Sequence, residues 1–151
     1  LLRPILSTSI ELHLELSDST QEVYADADTL SQVVTNLVIN ARDAVVERGA
    51  AARIGIHTSQ VLLDTPQHGL EPGSYACVAV HDNGCGMSPE VQERAFEPFF
   101  TTKRVGSGTG LGLSMIYGVA RDHGGAVTIE SEPGSGTRVS VLLPRVVPEL
   151  T

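Results

Sequence analysis

The stretch "DTLSQVVTNLVINARDAVVER" (28–48) constrains the chain most. At about 100° per residue, Leu30, Val33, Val34, Leu37, Val38, Ala41, Ala44 and Val45 fill one broad arc of a helix. An arc that wide must be buried against another layer of structure. Gln32, Asn36, Asn40 and Asp43 fall in a narrow stripe directly beside it. Asn is a poor helix former and is costly to bury without partners. The stripe therefore reads as a polar seam along the edge of the buried face. From spacing alone a solvated helix flank is the better account. The other account is a row of oxygen ligands for a hard cation or a polar ligand. Magnesium would need only one or two of them, because it keeps waters and takes substrate phosphates.

The remaining elements follow from periodicity and punctuation. Asp28 is the expected N-cap of this helix and Gly49 its end. Residues 5–16 alternate, with Ile10, Leu12, Leu14 and Leu16 on one side and Ser9, Glu11, His13 and Glu15 on the other, which predicts a half-buried strand. "SDST" is a turn and "VYA" (23–25) a short second strand. Residues 53–63 and 75–82 form strands joined through the turn-rich 64–74, an antiparallel hairpin with the second strand central. Residues 88–96 are a short helix with Ser88 as cap and Pro89 at its first position. Residues 97–110 show no periodicity and read as a long, mobile loop, a feature usually functional or disordered in a compact domain. A helix over 111–125 is closed by Gly124–Gly125, and strands at 126–132 and 137–143 form a hairpin. The prediction is an α+β domain: a two-layer α/β sandwich whose mostly antiparallel sheet is covered on one face by about three helices.

Charge and composition exclude several classes. A length of 151 residues suits one domain with a real core. The net charge of −8 argues against a nucleic-acid surface. From Lys103 to Arg121 there is no acidic residue, so this Gly-rich stretch could host an anion, or be depleted in acids by chance. No apolar run approaches about 18 residues, so no membrane span is expected. No signal-peptide pattern is visible, and a first residue of Leu suggests an excised fragment lacking upstream sequence. Cys77 and Cys85 lack zinc-site or disulfide spacing and read as reduced thiols of a cytoplasmic domain.

Three Gly-rich segments carry candidate chemistry. "DNGCGM" (82–87) leaves a buried strand and turns sharply. Gly84 and Gly86 permit positive φ and a close ligand approach, and Asp82 could accept from an exocyclic amine. Taken alone, a capping Asp in a tight turn explains it better. "GSGTGLGLS" (106–114) leads glycines into a helix N-terminus, a ready phosphate site, but it is neither a P-loop nor a Rossmann fingerprint. "PGSGT" (133–137) alone is a hairpin turn.

The order and spacing of these pieces say more than any one of them. Asn-x-x-x-Asn on a helix, DxGxG, "FEPFFTTK", "GTGLGLS", then "GSGT" before the last strand resembles the ATP-binding catalytic domain of sensor histidine kinases over nearly the entire chain. The segments are similar to that family's N, G1, F, G2 and G3 boxes. "FEPFFTTK" and "GTGLGLSMIYG" look most like the nitrogen-regulation-type and hybrid kinases. The wider superfamily includes gyrase, a heat-shock chaperone and a mismatch-repair ATPase, and the implied fold is of the Bergerat type.

The resemblance implies ATP and Mg²⁺ as ligands. Asn40 would hold Mg²⁺, with Asn36 and Asp43 lining the same cleft. Asp82 would accept from the adenine 6-amino group, with the base lying against Gly84, Gly86 and Met87 and Thr137 supporting that end through Asp82 or a water. Gly108, Thr109, Gly110, Leu111, Gly112 and Leu113 would wrap the phosphates. Lys103 and Arg42 are candidates for phosphate contact. Phe96, Phe99 and Phe100, with Thr101, would anchor a lid over the nucleotide. In hydrolytic relatives a Glu one turn before the Mg²⁺-binding Asn activates water; Asn36 stands there, and an amide cannot act as a general base. The catalytic set Asn36, Asn40 and Lys103 would then work by positioning and charge neutralisation, saving the γ-phosphoryl group for a histidine.

That acceptor is expected on a separate helical dimerisation domain, and none of His13, His57, His68, His81 and His123 is expected to serve. Residues 1–151 should therefore bind ATP without autophosphorylating, as a monomer or weak dimer. Its partners would be its own dimerisation domain and a response-regulator receiver domain, with no nucleic acid or membrane contact. The alternatives are a non-catalytic ATP-sensing module, against which Asn36, Asn40, Asp82 and the lid glycines weigh, and a hydrolase, against which Asn36 weighs.

Overall fold

The computed structural model describes residues 10–17, 23–48, 51–97 and 112–146, within which five strands form one sheet. In chain order the elements are β1 (Glu11–Glu15), α1 (Ala27–Arg48), β2 (Arg53–Leu63), β3 (Gly73–Asp82), α2 (Pro89–Arg94), α3 (Gly112–Asp122), β4 (Ala126–Glu132) and β5 (Gly136–Pro144). The strand order is β1-β2-β3-β5-β4, with β3 central as expected. The β2–β3, β3–β5 and β4–β5 pairs are antiparallel. Only β1 runs parallel to its neighbour β2, and α1 supplies the long crossover that a parallel pair needs.

Alternation sorts each strand into two faces. Ile54 and Ile56, Val78 and Val80, Val139 and Val141, and Val127 and Ile129 point to the helices. They pack against Val33, Leu37, Val38, Ala41 and Val45 of α1 and Ile116 and Ala120 of α3. The arc read from the sequence is thus the buried face of α1. A smaller cluster on the other face joins Leu63, Tyr75, Ala126 and Leu142 to Leu70 of the β2–β3 connection. There the Tyr75 hydroxyl donates to the Glu71 carbonyl at 2.7 Å. The fold class is the α+β sandwich predicted.

Several boundaries differ from expectation, each for a local reason. The cap of α1 is Asp26, not Asp28: its Oδ1 accepts from the Asp28 amide at 3.4 Å and its carbonyl from the Leu30 amide at 3.0 Å. Asp28 lies instead in the first turn, where a carboxylate suits the helix dipole. "VYA" is no strand, since Val23 makes a single bridge to Arg145. Ile10 is buried, but Leu14 and Leu16 are exposed, because α1 and α3 lie over the other four strands and leave this end of edge strand β1 uncovered. The short helix stops at Arg94, with Ser88 Oγ accepting from the Val91 amide as expected. The helix expected over 111–125 is described from Gly112 to Asp122, and Gly124 takes a φ of +75° after it.

Candidate functional site

On the helix-facing side, three apolar rows turn polar at the same end of the sheet. The row Val78–Val80 ends in Asp82, the row Val141–Val139 in Thr137, and the row Val127–Ile129 in Ser131. Asp82 pairs with Thr137 and Thr137 with Ser131 across the strands, so the three side chains line up along the rim. On the same side of the sheet, the polar seam of α1 meets the N-terminus of α3 where Asn40 lies against Gly112.

Asp82 is half-buried and accepts hydrogen bonds from the backbone amides of Gly84, at 2.8 Å, and Thr137. Burial pushes its carboxyl up from an ordinary 3.8 to about 6, against the lowering effect of those two bonds. The turn that follows is wedged between α1 and the β4–β5 hairpin. A Cβ on Gly84 would lie 2.6 Å from the Ala44 carbonyl carbon and 2.7 Å from its Cβ. Gly86, at φ +73°, backs onto the Glu132 carbonyl. The Cys85 amide donates to the Ala44 carbonyl at 3.3 Å, and its carbonyl accepts from the Gly134 amide at 2.7 Å. Both glycines are thus required by close approach of this chain's own backbone.

Ser131 and Gln92 complete the rim and went unread in the sequence. The Ser131 hydroxyl accepts from the Met87 amide at 2.8 Å and lies 2.9 Å from the Gly136 carbonyl and 2.7 Å from Thr137 Oγ1. Gln92 Nε2 donates to the carbonyls of Met87 and Ser131, both at 3.0 Å. A signal for Ser131 was present: alternation places its hydroxyl in the inward row of Val127 and Ile129, where it needs partners. Gln92 carries no such signal.

Asn36 and Asn40 are both half-buried on α1. Asn40 Nδ2 is fully buried and has no hydrogen-bond partner among the described residues. Such an orphan costs about 1–3 kcal/mol. Gly112, the first residue of α3, sits against this amide, with room for a Cβ only 3.2 Å from Nδ2 and 3.3 Å from Oδ1. Turning the amide over exchanges its oxygen and nitrogen at no cost in volume. An unsatisfied amide beside a helix N-terminus fits an oxygen ligand for Mg²⁺ that is itself bound to phosphates. Asp43 and Arg42, half-buried on the same helix, form an ion pair at 3.3 Å.

Phe96 stacks on Tyr117 of α3 at 5.0 Å between centroids, which ties the segment after α2 to that helix. Phe99, Phe100, Thr101, Lys103, Gly108, Thr109, Gly110 and Leu111 lie outside the described residues. Leu113 is half-buried and packs on the main core. The structure therefore brings Asp82, Gly84, Gly86, Met87 and Thr137 to one end of the sheet and Gly112 against Asn40 of α1, which also carries Asn36 and Asp43.

Comparison with known proteins agrees with this geometry. The family model for the histidine kinase-, DNA gyrase B- and HSP90-like ATPase matches residues 25–147. The sensor kinase CckA of Brucella abortus (strain 2308) is 40% identical over 153 residues, covering 99% of this chain and 16% of CckA. The mycobacterial sensor histidine kinase MprB superposes with a TM-score of 0.72 at 26% identity, over 91% of this chain and 85% of that one. Full-length ShkA in complex with AMPPNP superposes with a TM-score of 0.71 at 26% identity, over 93% of this chain and 27% of that one. The chain spans a small part of the length of the curated relatives it matches.

Proposed function

The chain belongs to the histidine kinase-, DNA gyrase B- and HSP90-like ATPase family, and from that membership we propose that it binds ATP with Mg²⁺ and donates the γ-phosphoryl group to a histidine on a separate domain. The observations that support this are a half-buried Asp82 at the sheet's end and, on α1, the orphaned amide of Asn40 set against the first residue of α3. Asp82, with Thr137 beside it, accepts from the adenine amine. Gly112 presents the N-terminus of α3 to the phosphates. Asn40 would hold Mg²⁺, which neutralises phosphate charge when bound.

Asn36 lies one turn from Asn40 and offers no carboxylate to activate water. The bound nucleotide is therefore kept for transfer. The receiving histidine belongs to a dimerisation domain of the whole sensor kinase, which passes the phosphoryl group to a response regulator. Homology with CckA and the AMPPNP held by ShkA support this assignment.

Calorimetry with a non-hydrolysable ATP analogue tests it. Binding should depend on magnesium and be lost in Asp82→Ala. Absence of binding at millimolar analogue would overturn the proposal.

A further inference from the structure

The face of the sheet turned away from the helices carries a cluster that the nucleotide reading does not use. One row across four strands runs His13, Gly55, His81 and Arg138. Gly55 has no side chain, and the His81 ring lies over it. His57 stands two residues further along β2 on the same face. With Glu15 these residues line an open cleft of about 180 Å³.

Three features of the cleft favour a negative guest. Half-buried Arg138 sits directly opposite Glu130 of β4, yet the two form no ion pair, and Arg138 lines the cleft. His57 Nδ1 is buried without a hydrogen-bond partner among the described residues, and only its Nε2 approaches Glu15, at 3.6 Å. Partial burial and then Arg138 hold the His81 imidazole below its ordinary pKa, with His57 and His13 adding to them and Glu15 opposing. The cations of the cleft thus repel one another, and an anion would relieve that repulsion. Glu11 and Glu15 are exposed on the edge strand, where water screens them. A metal is the poorer guest: Arg138 keeps its charge at any working pH, and no described group of His, Cys, Asp and Glu is placed to hold one.

We propose that this cleft binds a small tetrahedral oxyanion of the phosphate class, with Arg138 as its charge anchor and His57 and His81 as N–H donors from two neighbouring strands. A carboxylate would spend both oxygens on the guanidinium and leave the imidazoles idle. The charged and titratable groups of this face are Glu11, His13 and Glu15 on β1, Arg53 and His57 on β2, Cys77 and His81 on β3, Arg138 on β5 and Glu130 on β4. Of these, the imidazoles gain charge between pH 8 and 6, and a protonated ring donates from both nitrogens. Binding therefore strengthens as pH falls through that range.

Sulfate is the probe, because it stays a dianion throughout. NMR of the ring nitrogens of His13, His57 and His81, assigned through single His→Gln variants, reads this face and not the N-terminus of α3. At pH 6, against chloride of matched ionic strength, sulfate should shift His57 and His81 saturably. Its affinity should fall about tenfold by pH 8. Arg138→Gln should weaken it at least about tenfold, the scale of one charge-assisted contact, and acetate should bind about tenfold more weakly than sulfate. Arg94→Gln, which removes an exposed charge on α2, should change nothing, each variant being checked for an intact melting transition. Equal shifts with chloride, unchanged affinity in Arg138→Gln, equal binding of acetate, or rings that answer to micromolar zinc but not to sulfate would overturn the proposal. It is independent of the nucleotide site, so each of these outcomes leaves ATP binding standing.

Discussion

Asp82 shows how one residue couples stability to binding. Burial raises its carboxyl to about 6, so between an ordinary 3.8 and about 6 the folded domain keeps a proton that the unfolded chain has released. Stability from this group therefore falls as pH rises through that window and is level above it. With allowance for water screening of a half-buried group, the change is on the order of 1–2 kcal/mol. Urea unfolding of wild type against Asp82→Asn, followed from pH 4 to 7.5, should show the difference drifting toward the variant by that amount. If Asp82 accepts from the adenine amine as proposed, nucleotide runs the other way, because the ionised form is the better acceptor. Affinity for an ATP analogue should therefore drop below about pH 6, approaching tenfold per pH unit, and calorimetry from pH 5 to 8 reads it. Asn36 makes a second prediction at this scale. Asn36→Glu places a carboxylate one turn from Asn40, and ATP hydrolysis by the domain should rise by at least about tenfold, within the usual reach of a general base. A phosphate-release assay checks this.

The secondary-structure elements were legible wherever alternation or a wide apolar arc declared them. Strands β2, β3 and β5 and helix α1 follow from Ile54/Ile56, Val78/Val80, Val139/Val141 and the arc from Val33 to Val45. What stayed hidden depends on contacts distant in sequence. Nothing local says that Asp26 rather than Asp28 caps α1, since both are good caps. Nothing local says that Leu14 and Leu16 lie beyond the reach of both helices. The site glycines are the sharper case. The sequence shows that Gly84 and Gly86 are free to bend, but Ala44 and Glu132, the residues they must clear, come from elsewhere in the chain. Gly134, by contrast, has φ +81° and open space around it. The three positions should separate in urea unfolding. Gly134→Ala should cost about 1 kcal/mol, the conformational term alone. Gly84→Ala should cost about 1–3 kcal/mol from overpacking on Ala44. Gly86→Ala combines positive φ with a backbone clash and should cost most, about 2–4 kcal/mol. Equal costs at the three positions would mean that the turn is not held between α1 and the β4–β5 hairpin.

For the molecule as a whole, the sheet separates the polar rim of Asp82 and Thr137 from the strand histidines. The rim of Asp82 and Thr137 lies on the helix side, where α1 carries Asn40. His13, His57 and His81 occupy the alternate rows and face the other way: His13 and His81 both pair with Gly55, and His57 lies two residues further along β2. The His81 ring covers Gly55, whose missing side chain makes room for it. His13 and His57 lie beside Glu11 and Glu15, at 2.8 and 3.6 Å. His68 belongs to the β2–β3 connection, whose Leu70 packs on that same far face. His123 contacts the Val119 carbonyl at 2.7 Å, just past the C-terminal end of α3. The phosphate end of the proposed site is at the N-terminus of that helix, and its 11 residues set the two ends about 16 Å apart. No described histidine is therefore placed beside Asn40 and Gly112. Incubated alone with γ-labelled ATP, the domain should form no acid-labile phosphohistidine. Mixed with the helical domain that carries the acceptor in its own full-length protein, it should label that domain, and Asp82→Ala should abolish the transfer. Labelling of the isolated domain at any of its five histidines would mean that the sheet does not separate donor from acceptor. Binding without transfer to the helical domain would instead mark the chain as an ATP sensor, with Asn36 and Asn40 serving affinity alone.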